Sequence, residues 1–150
     1  MRILAIDIGA GTQDILLFDS TSVPPNWVKM IMPSPTVIVA GRIEQATAKG
    51  RDIFLSGVTM GGGANAGALA KHLKAGRRAF ATPDAARTFD DDLAEVQKLG
   101  VTVVQEDEAA VLKNVECIEM RDFDLDAISS ALSSFGIKPR FEGLAVAVLD

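Results

Sequence analysis

The chain has 150 residues, 48% hydrophobic and 23% charged, with a net charge of −5 and a single cysteine. That is the composition of a globular chain large enough to bury a core, and three classes are excluded by it. There is no Lys/Arg cluster to mark a nucleic-acid footprint, no apolar run of the roughly 18 residues that span a bilayer, and too few thiols for an internal disulfide or a cluster ligated by one chain.

Residues 2–8 and 13–18 read as two apolar strands. The Gly9-Ala10-Gly11-Thr12 turn between them makes a β-hairpin, with Asp7 near the end of its first strand. Residues 20–35 carry Pro24, Pro25, Pro33 and Pro35 and read as an irregular loop, because Pro cannot donate to a strand ladder. The run Val37-Ile38-Val39-Ala40 reads as a short buried strand, and 41–50 as a helix stopped at Gly50. Residues 53–58 form another apolar strand. The run Thr59-Met60-Gly61-Gly62-Gly63 then opens into a helix that continues through Leu73.

Residues 78–81 read as a strand, and Pro83 starts a helical turn. The helix over 90–99 opens with three acids, which suit its positive end. A strand over 101–104, a helix over 107–112 and an extended segment over 115–120 follow. The amphipathic helix over 124–135 stops at Gly136, and 143–149 is a wholly apolar strand running into Asp150. This alternation predicts one α/β domain over 1–150. The opening hairpin makes its sheet mixed. The last strand is apolar enough for a sheet centre, so the chain reads as the N-terminal part of a longer protein. The missing C-terminal domain is then its expected partner. The N-terminus lacks a signal-peptide pattern, and the expected location is the cytoplasm.

Two glycine-bearing turns carry the chemistry. At the hairpin tip, Gly9 and Gly11 permit unusual backbone angles and close approach to a ligand. Successive amides in such a turn form an anion-binding concavity. Thr12 adds a hydroxyl, and Asp7 can hold Mg²⁺ directly or through water. The same residue types also build an ordinary turn whose Asp caps its own backbone. The second turn, Gly61-Gly62-Gly63-Ala64-Asn65-Ala66, fits G-x-G-x-x-A, with Asp84 about twenty residues on. It admits a Rossmann-like site for NAD or adenosylmethionine, a substrate contact, or simple close packing of helix on sheet. The helix start near Ala64 and Asn65 can hold an anion in each case. A non-catalytic interaction module is the third reading.

The remaining candidates have plainer expectations. His72 reads as a helix-face residue and Cys117 as a buried, inert thiol. The Asp90-Asp91-Asp92 run reads as a solvated helix start. Arg87, after Pro83-Asp84, could reach an anion, though no sequence feature points to one, and Trp27 is either a packing anchor or a partner contact.

The segment Ile6-Asp7-Ile8-Gly9-Ala10-Gly11-Thr12-Gln13-Asp14 resembles the first phosphate loop of the actin, Hsp70 and sugar-kinase superfamily. The resemblance implies a ribonuclease-H-like fold with ATP and Mg²⁺ as cofactors. It places Asp7 beside the metal and Gly9, Ala10, Gly11, Thr12 and Gln13 around the nucleotide phosphates. Gly61, Gly62 and Gly63 would then contact substrate. Several superfamily members carry Lys or Arg at the position of Asp14. The acid here, as in the hydantoinase-A-like branch, leaves the phosphate charge to Mg²⁺ and the backbone. The superfamily's second phosphate loop begins Asp-x-Gly after an apolar strand, and Asp150 resembles that second catalytic Asp. The chain would then carry half a nucleotide site, bind ATP weakly or not at all alone, and serve an ATPase or phosphotransferase only in the full-length protein. Through residues 7–19 and 61–67 the chain also resembles a prokaryotic family labelled as a pyruvate formate-lyase activating enzyme. True enzymes of that name use a three-cysteine iron–sulfur motif. With Cys117 alone, no iron–sulfur cluster and no radical chemistry are expected of this chain on its own.

Overall fold

The computed structural model describes residues 1–109 and 113–148. In chain order the elements are β1 (Arg2–Ile8), β2 (Thr12–Asp19), β3 (Val28–Pro33), α1 (Pro35–Ala48), β4 (Asp52–Gly57), α2 (Gly63–Lys74) and β5 (Ala79–Ala81). They continue with α3 (Pro83–Arg87), α4 (Leu93–Lys98), β6 (Val101–Val103), α5 (Glu106–Ala109), β7 (Val115–Met120), α6 (Leu125–Ser134) and β8 (Gly143–Val148). The chain divides into two compact units. One is Met1–Ser34 with the described residues from Phe123 onward; the other is Pro35–Asp122.

The first unit holds a mixed sheet of order β3-β2-β1-β8. β1, β2 and β3 run antiparallel in succession, and β8 runs parallel to β1. Side chains alternate along a strand, so the register puts Leu4, Ile6, Ile8, Ile15 and Leu17 on one face, all of them buried. α6 buries Ile128 and Leu132. Its start is capped by Asp124, whose side chain accepts from the Ala127 amide at 2.9 Å, and Gly136 follows its end at φ +74°.

Two expectations about this sheet are corrected. Residues 28–33, read as loop, form β3. Its only proline, Pro33, is the last residue, and β3 is an edge strand, where a missing donor is tolerated. β8, read as a central strand, lies at the opposite edge and pairs with β1 alone among the described residues. Its Leu144, Val146 and Val148 are 44%, 38% and 42% exposed. Trp27 is a packing anchor. Its ring stands edge-on to Phe18 with centroids 4.8 Å apart, and its indole N–H donates to the Asp19 carbonyl at 3.1 Å.

The second unit is built on a wholly parallel sheet of order β6-β5-β4-β7. Its core includes Ile43, Ile53, Leu55, Leu69, Val96, Ile118 and Met120. Residues 37–40, expected as a strand, lie inside α1. Pro35 begins that helix, where its missing N–H is no loss. Val39, Ala40, Ile43 and Ala46 recur on its buried face at helical spacing, and that periodicity overrides the β-branched composition. α4 starts at Leu93, later than expected. The acids before it form the cap: Asp92 accepts from the Ala94 amide, and Asp90 from the Asp92 amide. The expected helix over 107–112 is described only as far as Ala109, and residues 110–112 lie outside the described residues.

His72 lies in α2, on its buried side, and is fully buried. Its Nδ1 lies 2.6 Å from Thr47 Oγ1, and its Nε2 lies 3.1 Å from the Arg78 carbonyl. Cys117 is exposed, not buried, because β7 turns Ile118 and Met120 inward instead. Among the described residues no helix is long and apolar enough to cross a membrane.

Candidate functional site

The hairpin turn is held at two places. Across the tip, the Gly9 amide donates to the Thr12 carbonyl at 2.9 Å. Behind it stands Ser34, whose hydroxyl donates to the Ala10 carbonyl at 2.9 Å and whose amide donates to the Gly11 carbonyl at 3.1 Å. All peptide bonds here are trans. In a planar trans peptide the N–H points opposite to the C=O. With both carbonyls drawn toward Ser34, the amides of Gly11 and Thr12 therefore point the other way.

The glycines of this turn differ from expectation. Neither Gly9 nor Gly11 has a left-handed φ. An added Cβ at Gly9 would sit an ordinary 3.4 Å from the Thr12 carbonyl, and one at Gly11 would meet nothing within 4 Å. The backbone therefore does not require glycine at Gly11, and its lack of a side chain leaves open space over the turn.

The two-residue connection fixes the register, and Asp7 falls directly opposite Asp14. Both are exposed and border one hollow of about 630 Å³ on the outer face of the sheet. The walls include Ala5, Leu16, Ile31, Ala145 and Ala147, with Lys29 as the cation. Gln13 belongs to the other face. It is 7% exposed, and its side-chain amide donates to the Pro33 carbonyl at 2.9 Å, so that side chain ties β2 to β3 and does not reach the tip. No group of three or more metal-ligating side chains occurs among the described residues. Asp7 and Asp14 supply two carboxylates, which is the number of protein ligands Mg²⁺ often takes when water and phosphate complete its shell. Asp150 lies outside the described residues.

The second unit holds the other glycine turn. Gly62 and Gly63 adopt φ +71° and +62°, and α2 begins at Gly63 with no side chain capping it. Asp84, the acid that the Rossmann-like reading would set against a ribose, sits in the first turn of α3, just past β5. It pairs with Arg87 at 3.2 Å, which also accounts for Arg87. Burial, first of all, pushes the His72 pKa down, and Arg77 adds to this; the Arg78 carbonyl and Asp52 oppose it.

Sequence reasoning missed the opposition of Asp7 and Asp14, the Ser34 clamp and Lys29. The first was available from hairpin arithmetic, since a turn at Ala10-Gly11 pairs 7 with 14. The clamp joins residues far apart in sequence and left no local signal.

A family model described as “Putative pyruvate format-lyase activating enzyme (DUF1786)” matches residues 60–150. The match takes in the second glycine turn and begins beyond the hairpin. No curated protein matches the chain. The matched stretch covers more than half of the chain, which therefore belongs to this family.

Proposed function

We propose that the hairpin tip binds a nucleotide phosphate together with Mg²⁺, as part of a ribonuclease-H-like ATPase or phosphotransferase of the actin and Hsp70 kind. The observation that carries this reading is the Ser34 clamp. By drawing two carbonyls back, it aims the Gly11 and Thr12 amides outward, where they form the type of concavity that holds an oxyanion. The open space over Gly11 leaves room for the phosphate. Asp7 and Asp14 fit a hard divalent cation, which prefers oxygen ligands. Bound Mg²⁺ would neutralise phosphate charge that no Lys or Arg at position 14 offsets. The hollow beside the carboxylates has mostly apolar walls with a few polar groups, as small-molecule sites do. The family's described activity would call for cluster-ligating thiols, of which this chain supplies Cys117 alone.

Mn²⁺ in place of Mg²⁺ tests the proposal. With ADP added, the amide resonances of Gly9, Gly11, Thr12 and Asp14 should broaden through proximity to the paramagnetic ion. The broadening should shrink in Asp7→Asn and Asp14→Asn proteins. Broadening confined to other residues, or indifferent to ADP, would sink the reading. Micromolar ATP affinity for this chain alone would contradict the half-site reading.

A further inference from the structure

We propose a second, separate anion site in the Pro35–Asp122 unit. It would be formed by the Gly61–Gly63 turn with Thr59 and Asn65, and would take a phosphate or diphosphate group. The topology sets the place. β4 is the first strand of its parallel sheet, β5 and β6 follow on one side of it, and β7 lies on the other. Successive crossovers part between β4 and β7, and in open parallel sheets ligands bind beyond the carboxyl ends of the strands at such a point. The glycine turn follows β4 there.

The turn is built without side chains of its own. Gly62 and Gly63 hold left-handed angles, and an added Cβ at Gly62 would meet nothing within 4 Å. Gly62, at the cap position of α2, therefore has no side chain to offer the first-turn amides, and a helix of 12 residues brings its dipole to the same end. Asp122 brings an opposing charge: its carboxylate accepts from the Met60 amide at 2.6 Å and so latches the start of the turn.

Two buried polar atoms supply the independent observation. Thr59 is 2% exposed and Asn65 fully buried, and neither Thr59 Oγ1 nor Asn65 Nδ2 has a hydrogen-bond partner. Buried polar groups nearly always have one, so these two cost the fold stability without return. Asn65 lies in the first turn of α2, and helical Cβ bonds tilt toward the N-terminus. Its Oδ1 accepts from the Ala66 amide at 2.8 Å, which leaves Nδ2 as a spare donor at that end. The Thr59 hydroxyl is a second donor at the entry to the turn. Both atoms are shielded from solvent, so binding would require the turn to open around Gly62.

Inorganic pyrophosphate is the probe, titrated into the full chain with EDTA present so that the hairpin and its metal play no part. The amides of Gly61, Gly62, Gly63 and Ala64 should shift in NMR spectra. Asn65→Asp keeps the acceptor for Ala66 but places negative charge at the site, and should abolish the shifts. Thr59→Val should weaken binding about tenfold, the worth of one hydrogen bond to a charged group. The same Thr59→Val protein should melt no lower than the parent, because it loses an unpartnered hydroxyl. Absence of these shifts at millimolar pyrophosphate, shifts that persist in both variants, or a lowered melting temperature for Thr59→Val with unchanged binding would each overturn the proposal.

Discussion

Asp7 and Asp14 stand directly opposite each other across the β1–β2 ladder, so two carboxylates share one exposed patch of sheet. Like charges placed this way destabilise a strand pair. Asp14→Asn is therefore expected to raise stability without divalent cations by roughly 0.2–1 kcal/mol, the usual scale of a cross-strand pair. Saturating Mg²⁺ should stabilise the parent protein and leave the variant unmoved, since a ligand that binds only the folded state adds stability. Urea denaturation with and without Mg²⁺ checks both halves.

Gly11 and Gly57 make opposite predictions for the same substitution. At Gly11 a methyl group has open space and no left-handed angle to oppose it. Gly11→Ala should leave stability unchanged or raise it by up to about 1 kcal/mol, through a less flexible unfolded chain, while removing the ADP-dependent Mn²⁺ broadening. At Gly57 φ is +72° and an added Cβ would lie 2.2 Å from the Met120 carbonyl. Gly57→Ala should cost at least about 2 kcal/mol from strain and forced separation of β4 and β7. Thermal melts of the two proteins, read together, test the contrast.

Ser34→Ala removes the hydroxyl that holds the Ala10 carbonyl. The expected cost is about 0.5–1.5 kcal/mol, that of an ordinary intramolecular hydrogen bond. The more specific effect is local, because the ADP-dependent Mn²⁺ broadening at Gly11 and Thr12 should shrink once the Ala10 carbonyl is released and the amides lose their fixed direction. Unchanged broadening at those amides would overturn the role given to the clamp.

His72 should make the second unit acid-sensitive. Burial lowers its pKa below the ordinary 6.5, so the unfolded chain binds a proton more readily than the folded one. Stability from the neutral ring is full above 6.5 and is lost as pH falls through the depressed folded value. Thr47 and the Arg78 carbonyl hold the neutral ring in place. His72→Gln should flatten the loss of melting temperature between neutral pH and about 5, since it removes the titrating group.

Apolar runs made the hairpin and the 53–58 strand legible in the sequence, helical periodicity did the same for α6, and the glycine stops at Gly50 and Gly136 fell where helices end. Short apolar runs were ambiguous. Val37-Ile38-Val39-Ala40 satisfies strand and helix alike, and only Ser34-Pro35 before it marked a helix start. β3 was hidden by the prolines around it. The division into two sheets depends on pairing between distant segments, which local pattern does not encode. At the candidate sites, residue types pointed to Asp7 and to both glycine turns. The orphaned atoms of Thr59 and Asn65 came from tertiary burial alone.

β8 carries a consequence for the behaviour of the chain in solution. One side of its backbone is unpaired among the described residues, and it has neither charge nor proline along its length. Those are the devices that normally stop sheets from growing edge to edge. The strand is a template that an extended apolar segment can continue, including another copy of itself. Light scattering of concentrated samples is expected to show self-association, and Val146→Lys, by placing charge in mid-template, is expected to suppress it.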